Sequence, residues 1–441
     1  MNKFYVKIMN MRIDKRKLII SGLLMTSLIV HFLFFGYPRE VVFDEVFFGK
    51  FIASYYNGEY FFDIHPPLGK LIIAGFGKLF DLQLHDNFSI VGNSYLNNNY
   101  LFLRFLPSLA GTFLPIILFL LAIEIGFSLW GATILGLFLI FENALLTQSR
   151  FILLDSFLLF FGFGSLLLYF IYRRKKNWKY LLGAGILGAG AFSIKWTGLT
   201  FIFLIIVNEI FSKNGLLKLK VLKIMIFLFF IPILFYFIFF VVHFSILSKT
   251  GTGDDYMTKK FQHSLEGNKW SAKEIPDINV FEKFIELNTE MYRANARLTQ
   301  RHEYESRWYV WPLMIKPVSY WERDDRHIYF SGNLLLWWAG TAAVLWGLIK
   351  QLTNFFKKDR QLNFLLAGFF VSWLPFIFIS RTMFLYHYLV SLIFSIVILV
   401  YFLDKSEKMK KIGITLVTIV FIIFLILSPF SYGFRMSDFL K

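Results

Sequence analysis

The stretch FDEVFFGKFIASYYNGEYFFDIHPPLGK, residues 43–70, decides how this 441-residue chain is interpreted. It follows the first membrane-length apolar run and places two adjacent carboxylates, Asp44 and Glu45, among aromatic side chains. Adjacent carboxylates at a membrane–water boundary repel each other and lose hydration, so such a pair indicates a working site. The alternative is a solvated loop start, because paired charges are common in loops.

A histidine later in the same stretch, His65, stands two residues after Asp63 and directly before two prolines. The prolines fix the chain direction and remove two backbone donors, so His65 is held facing whatever Asp63 also faces. A lone histidine is more often structural than catalytic, and the neighbouring carboxylates favour the functional interpretation. We predict that His65 shares a site with the Asp44–Glu45 pair.

The composition is that of an integral membrane protein. The chain is 57% hydrophobic and 20% aromatic, its mean hydropathy is +0.58, and its apolar residues form long runs. The formal net charge of +17 would suit a nucleic-acid partner, but half of the basic residues fall in short segments between the apolar runs. This distribution reports the cytoplasmic side of a membrane protein and argues against nucleic acid. The segments are 1–17, 173–179, 213–223, 350–360 and 405–411.

The residues give no support for cysteine chemistry or for a histidine metal site. The chain has no cysteine, which excludes disulfides, thiolate catalysis and cysteine-ligated metals. Its histidines show no spacing typical of a metal site, so no metal ligands are assigned. Whether a divalent metal is needed stays open.

The apolar runs predict an all-α bundle of about eleven transmembrane helices with external interfacial helices and a large external loop. Alternation of the basic segments places the N-terminus in the cytoplasm and the C-terminus outside. We expect three regions. They are an N-terminal transmembrane module at 1–244 with the first external loop at 38–100, a large external loop of helix and coil at 245–332, and C-terminal transmembrane helices at 333–441.

Two predicted spans bear on the site. Residues 129–146 are expected to form one continuous span. The 32 residues at 180–211 are flanked by basic segments on both sides and are too few for two full spans. Two short or tilted helices that meet near Lys195 are the predicted solution.

This topology collects acids and bases on the external face, at the level of the lipid headgroups. Arg104, Glu142 and Asp155 lie at span ends, where a role as interhelical ion-pair partners and a role in a site are equally compatible with the pattern. Besides the residues of the first loop, the external set is Arg104, Glu142, Arg150, Asp155, Lys195, Arg381 and His387.

The 43–70 stretch resembles the first external loop of the protein O-mannosyltransferases, whose hallmark is an Asp-Glu pair followed by an HPPL-type motif. Further blocks match in the family's order, so the resemblance covers roughly residues 40–390. They are LRFLPSLAG (103–111), SRFILLDSFLLF (149–160), SIKWTGL (193–199), HEYESRWYVWPL (302–313), SGNLLLWWAG (331–340) and FLYHYL (384–389).

The resemblance implies a GT-C type membrane glycosyltransferase that transfers mannose, with inversion, from polyprenyl (dolichyl) phosphate mannose to Ser or Thr hydroxyls of secreted or membrane proteins. Asp44 would be the general base and Glu45 would help hold the acceptor or the loop. No cofactor is required beyond this lipid-linked donor. The candidates for donor or phosphate contact, some of which are also candidates for a structural role, are His65, Arg104, Lys195, Asp155, Glu142 and His387.

The mechanism agrees with elementary chemistry, since cations can stabilise the leaving phosphate and one carboxylate can take the hydroxyl proton. The 245–332 loop is too short for the MIR domain of eukaryotic members, which indicates the short prokaryotic type in a plasma membrane, or the ER membrane if the chain is eukaryotic. A dimer stays open. The alternatives are a related GT-C transferase that uses another lipid-linked sugar or a lipid acceptor, and a lipid or solute transporter. Charges on one face and unmatched halves argue against the transporter.

Overall fold

The computed structural model describes residues 15–210, 218–297, 301–353, 359–435 and 437, which form a predominantly helical bundle. Most of the residues at the two chain termini lie outside these described residues. Parts of the basic segments 1–17, 213–223 and 350–360 also lie outside them. The helices are α1 Lys15–Phe32, α2 Glu45–Asn57, α3 Leu68–Lys78, α4 Asn99–Ile125, α5 Leu129–Ile140, α6 Asn143–Ser149, α7 Asp155–Lys175, α8 Trp178–Ile194, α9 Leu199–Ile210, α10 Lys218–Met225, α11 Ile231–Ile246, α12 Lys259–His263, α13 Val280–Arg297, α14 Leu334–Thr353, α15 Arg360–Trp373, α16 Leu389–Leu403 and α17 Glu407–Tyr432.

Within the described residues, six helical segments are long and apolar enough to cross a membrane, or seven if the bent pair α5–α6 is one span. The predicted number of about eleven is therefore not confirmed. The other predicted spans correspond to α1, α8, α9 and α14, which are shorter or carry more polar and small residues. The six segments are Asn99–Ile125, Asp155–Lys175, Val221–Ile246, Arg360–Phe378, Leu385–Leu403 and Glu407–Tyr432.

The predicted continuous span at 129–146 is wrong. The helix breaks after Ile140, and α5 and α6 meet at 59°. The reason is the buried carboxylate of Glu142, which accepts hydrogen bonds from the N–H of Leu145 at 2.7 Å, the N–H of Asn333 at 2.8 Å and the indole N–H of Trp337 at 3.0 Å. The N–H of Leu145 is free to donate because it lies in the first turn of α6, so the carboxylate caps that helix. Its bonds with Asn333 and Trp337 tie α6 to the start of α14.

The turn between α8 and α9 agrees with the prediction of two short helices that meet near Lys195. Lys195 has an extended backbone (φ −146°, ψ 144°), which ends α8, and a single 3-10 turn at Trp196–Gly198 leads into α9. A Cβ atom at Gly198 would collide with the backbone of Ala191, so only glycine lets the turn fold back onto α8. The turn directs the Lys195 side chain toward the start of α7.

The loop predicted to be external contains a β-hairpin, which corrects the all-α prediction for this chain. Strands β1 (Val318–Arg323) and β2 (Arg326–Phe330) pair antiparallel, with Val318 opposite Phe330. Asp324 and Asp325 form the two-residue turn, both with positive φ, as hairpin turns that match the strand twist require. The hairpin lies against the loop at 38–100, because the indole N–H of Trp321 donates to the Glu40 carboxylate at 2.8 Å.

Candidate functional site

A cavity of about 300 Å³ opens at the end of the bundle where the His65 loop, the start of α7, the α8–α9 turn, the end of α13 and the segment before α16 meet. Four of the predicted site residues line it, His65, Asp155, Lys195 and His387. Asp44 is not among its lining residues. The polar and aromatic residues that line it are His65, Asp155, Lys195, Trp196, Thr197, Thr200, Tyr292, Asn295, Ser372, Phe376, Phe378, Ser380, Arg381, Tyr386 and His387.

Lys195 and Asp155 form a buried ion pair at the floor of the cavity. The Lys195 Nζ atom donates to Oδ1 of Asp155 at 2.7 Å and also lies 5.5 Å from the centre of the Tyr386 ring. Asp155 is the first residue of α7, where the helix dipole favours a negative charge. The pair holds an ammonium group in the cavity and keeps it from folding away into solvent.

Arg381 supplies a second cation to the cavity. The sequence analysis placed it in the set of acids and bases expected on the external face, but did not name it as a candidate for donor or phosphate contact. Its guanidinium lies 3.5 Å from Nε2 of His387, and no carboxylate in the described parts of the chain pairs with it. Burial lowers the pKa of Arg381, which nevertheless stays charged at neutral pH. The available signal was a basic residue at a position that the predicted topology places outside, where the positive-inside rule predicts few. Arg381 therefore gives the cavity a positive charge that is available to an anion.

The His65 loop is fixed by Lys70, a buried lysine in the first turns of α3. Its ammonium donates to the Asp63 carboxylate, to the His65 carbonyl at 3.0 Å and to the Pro66 carbonyl at 3.1 Å. Burial lowers the pKa of His65 well below its usual value, and the nearby cations, Lys195 first among them, lower it further. His65 therefore enters the cavity as a neutral imidazole that can donate or accept a hydrogen bond.

Asp44 stands directly before α2, close enough to Lys195 and Asp155 for their charges to act on its carboxylate. Its half-buried carboxylate makes no hydrogen bond to any residue that the structure describes, although it occupies the N-cap position. Burial raises the pKa of Asp44 to about 7; the charge of Lys195 opposes this shift, and Asp155 and Asp63 add to it. An unpartnered carboxylate with this pKa is suited to accept a proton near neutral pH.

Glu45, next to Asp44, is instead fully engaged with Arg104. Nε and Nη2 of Arg104 donate to the two Glu45 oxygens, each at 2.7 Å, and both side chains are 0% exposed. The carboxylate also accepts the N–H of Val42 and of Ile152 and the Tyr95 hydroxyl. Neither member of the pair lines the cavity.

The remaining guanidinium donors of Arg104 go to the chain that leads into the first loop. Nη1 donates to the carbonyls of Gly36 and Pro38 and Nη2 to that of Glu40, at 2.8–3.0 Å. Every N–H group of Arg104 is used in these hydrogen bonds. Arg104, which was predicted to contact the sugar donor, therefore belongs to the scaffold under the first loop. Glu142 is likewise held by α6 and α14 and does not line the cavity.

Residues that sequence reasoning did not single out also line the cavity. Asn295 at the end of α13 donates to the Ile64 carbonyl at 3.1 Å, which joins the large external loop to the His65 loop. Tyr386 lies inside the FLYHYL block, beside the predicted His387, and was within reach of the motif. The described residues hold no group of three or more His, Asp or Glu side chains arranged for a metal ion.

Family models match most of the chain. The model "Dolichyl-phosphate-mannose-protein mannosyltransferase" matches residues 21–248, and "C-terminal four TMM region of protein-O-mannosyltransferase" matches residues 280–439. The chain belongs to the protein O-mannosyltransferase family. A curated relative in this family, dolichyl-phosphate-mannose–protein mannosyltransferase 1 of Saccharomyces cerevisiae, is 30% identical over 288 residues, 60% of this chain. The chain spans only 34% of that relative's length.

Solved structures give the fold of this family member. The S. cerevisiae protein O-mannosyltransferase Pmt1–Pmt2 complex bound to the sugar donor matches with a TM-score of 0.89 at 21% identity, covering 96% of this chain and 91% of that chain. ArnT from Cupriavidus metallidurans bound to undecaprenyl phosphate matches with a TM-score of 0.56 at 14% identity, covering 93% and 64%. The protein is thus a multi-span membrane protein with the GT-C fold.

The Glu45–Arg104 pair generates a stability prediction. Glu45→Gln leaves a buried guanidinium without its counter-charge, and breaking a buried pair in this way costs about 3–5 kcal/mol. We expect a large drop in the thermal unfolding midpoint of the detergent-solubilised protein, measured by a fluorescence melt.

The matched control is Glu407→Gln, which removes the exposed pair with Lys410 by the same chemical change. We expect the control to melt like the wild type. A Glu45→Gln protein that melts as the control does would show that the buried pair does not hold the loop.

Proposed function

We propose that the chain is a membrane glycosyltransferase that moves mannose from polyprenyl (dolichyl) phosphate mannose to Ser or Thr hydroxyls of proteins, with inversion at the sugar carbon. One observation carries the proposal. A cavity with two cations, Lys195 and Arg381, lies near Asp44, whose carboxylate feels the charge of Lys195 and whose pKa is raised to about 7. The combination provides a place for a phosphate and a base for a hydroxyl proton.

The reaction needs one displacement. The acceptor oxygen attacks C1 of mannose, the bond between C1 and the phosphate oxygen breaks, and the hydroxyl proton passes to the Asp44 carboxylate. The donor phosphate gains one negative charge as polyprenyl phosphate leaves, and the ammonium of Lys195 and the guanidinium of Arg381 stabilise that charge. Attack from the side opposite the phosphate inverts C1, so a single carboxylate is enough.

The predicted residues then divide into two groups. Asp44 is the base; His65, Lys195 and His387, with Arg381, contact the donor, and Asp155 orients Lys195. Glu45, Arg104 and Glu142 belong to the scaffold, because their hydrogen bonds end on protein atoms. Such a division explains why two adjacent carboxylates are present although the displacement uses one.

We also propose the three-region organisation, with boundaries at 1–244, 245–332 and 333–441. The gap between the two matched family regions falls inside the proposed external loop, which supports these boundaries. The basic segments support a cytoplasmic N-terminus and an external C-terminus, in a prokaryotic plasma membrane or an ER membrane. The relative solved as a Pmt1–Pmt2 complex favours assembly with a second chain.

The direct test is transfer by the purified protein. We expect radiolabel from polyprenyl phosphate mannose to appear on a Ser/Thr-containing peptide, and unlabelled mannose donor to compete better than other lipid-linked sugars. Label that reaches only a lipid acceptor, or stronger competition by another sugar, would indicate a related GT-C transferase. Complete absence of transfer from any lipid-linked sugar would contradict the proposal.

Asp44→Asn tests the base. The amide keeps the shape of the side chain but cannot take a proton, and general-base catalysis is worth about 10²–10⁴-fold. We expect transfer to fall by at least about a hundredfold in the radiolabel assay, with an unchanged elution volume and melting temperature. Asp255→Asn, at an exposed position in the large external loop, is the matched control and should transfer normally. Near-normal transfer by Asp44→Asn would remove Asp44 from this role.

The raised pKa of Asp44 predicts the pH dependence. Because the base must be ionised, kcat/KM should fall about tenfold per pH unit below about pH 7, whereas an ordinary aspartate with a pKa near 3.8 would show no loss until far lower pH. The donor is a phosphodiester, which has no second ionisation, so the fall in kcat/KM at low pH reports a group of the protein. A flat profile between pH 5 and pH 8 would contradict the assignment.

A further inference from the structure

We propose that Tyr320 and Gln148 form a buried hydrogen-bonded link that fixes the base Asp44 and the cation Lys195 relative to each other. Neither residue lines the cavity, so both are positioning residues rather than catalytic ones. The inference rests on the proposed function for the roles of Asp44 and Lys195, and the link itself rests on the contacts that follow.

One end of the link holds the backbone in front of Asp44. Phe43 has a positive φ of 44°, which a bulky L residue adopts only when its surroundings impose it. Tyr320 on β1 supplies two such contacts. Its carbonyl accepts the Phe43 N–H at 3.0 Å, and its ring stacks on the Phe43 ring at 4.2 Å with the planes 6° apart. The hairpin therefore sets the conformation of the residue from which α2 and the Asp44 side chain start.

The other end reaches the cation. The Tyr320 hydroxyl donates to Oε1 of Gln148 at 2.5 Å, and Nε2 of Gln148 donates to Oδ2 of Asp155 at 2.7 Å. The second Asp155 oxygen accepts the Lys195 ammonium at 2.7 Å. An ionised carboxylate only accepts hydrogen bonds, so Gln148 must turn its NH₂ group to Asp155 and its carbonyl oxygen to Tyr320.

The chemistry makes this arrangement specific. The Tyr320 hydroxyl stays protonated and can donate, because burial raises its pKa well above the usual value. Both Tyr320 and Gln148 are almost fully buried, at 1% and 3% exposed, where an unpaired polar atom is costly. The four side chains satisfy one another only in this order, so a shift of Lys195 or of the hairpin breaks a buried hydrogen bond.

The link would serve to align the reacting groups in the proposed reaction, which is a single displacement at C1 of mannose. The base and the phosphate-binding cation must stand on opposite sides of the reacting carbon, and a misplacement of about 1 Å can cost about a hundredfold in rate. The link joins the first external loop, the hairpin of the large external loop, the end of α6, the start of α7 and the turn between α8 and α9. The hairpin is thereby part of the device that aligns the two reacting groups.

Tyr320→Phe is the test, because it removes the hydroxyl and keeps the stacked ring and the backbone hydrogen bond. Loss of one buried hydrogen bond predicts a fall in kcat of about tenfold, and a comparable weakening of the binding of polyprenyl phosphate, as Lys195 loosens. Tyr329→Phe on the neighbouring strand is the matched control and should leave both values unchanged. Unaltered kcat and binding in Tyr320→Phe would overturn the proposal.

A double-mutant cycle with Lys195→Met separates alignment from general damage. If Tyr320 acts through Asp155 and Lys195, Tyr320→Phe should cost much less in the Lys195→Met background than in the wild type. Equal losses in both backgrounds would overturn the link. Gln148→Met, which leaves Tyr320 and its stack in place, should reproduce the loss seen with Tyr320→Phe, and a normal rate would count against the link.

The two proposals fail in different ways. A wild-type protein that does not transfer mannose contradicts the proposed function, whereas polyprenyl phosphate binding still tests the link with the same variants. A wild-type protein that transfers mannose, with Tyr320→Phe indistinguishable from it in rate and binding, contradicts the link alone.

Discussion

The buried ion pair between Glu45 and Arg104 is the interaction on which the rest of this site depends. Two charges without water are tolerated only when nearly every donor and acceptor is paired, and here the partners come from the chain after α1, the first loop and the segment before α7. The pair therefore fixes where α2 begins. It also determines which way the preceding carboxylate faces.

Two neighbouring carboxylates have opposite environments as a result. Successive residues at a helix start point about 100° apart, so Glu45 can enter the scaffold while the Asp44 side chain stays out of it. One carboxylate is saturated with hydrogen bonds and the other has none from the described residues. Burial of the free one raises its pKa into the range useful for proton transfer; the charge of Lys195 opposes the shift, and the charges of Asp155 and Asp63 add to it. The scaffold thus creates the reactivity of its neighbour.

The sequence predicted much of this arrangement, for physical reasons that are visible in particular residues. Counting residues between the basic segments placed the helix turn at Lys195, because span length is set by the membrane. The hairpin was missed although VSYWERDDRHIYF, residues 318–330, has aromatic and β-branched residues on both sides of an Asp-Asp turn, which is a strand signal. The pattern could not separate Arg104 from Lys195, since both are basic residues near an external boundary. Only the positions of their hydrogen-bond partners show that one is saturated by the scaffold and the other faces a cavity.

An experimental structure with polyprenyl phosphate mannose bound tests the central claim most directly. The account predicts the phosphate within hydrogen-bond distance, about 3 Å, of Lys195 or Arg381, and C1 of mannose turned toward an Asp44 carboxylate that keeps clear of protein donors. A phosphate bound elsewhere would contradict this claim. So would an Asp44 side chain that turns into the scaffold while another carboxylate lies at the face of C1 opposite the phosphate.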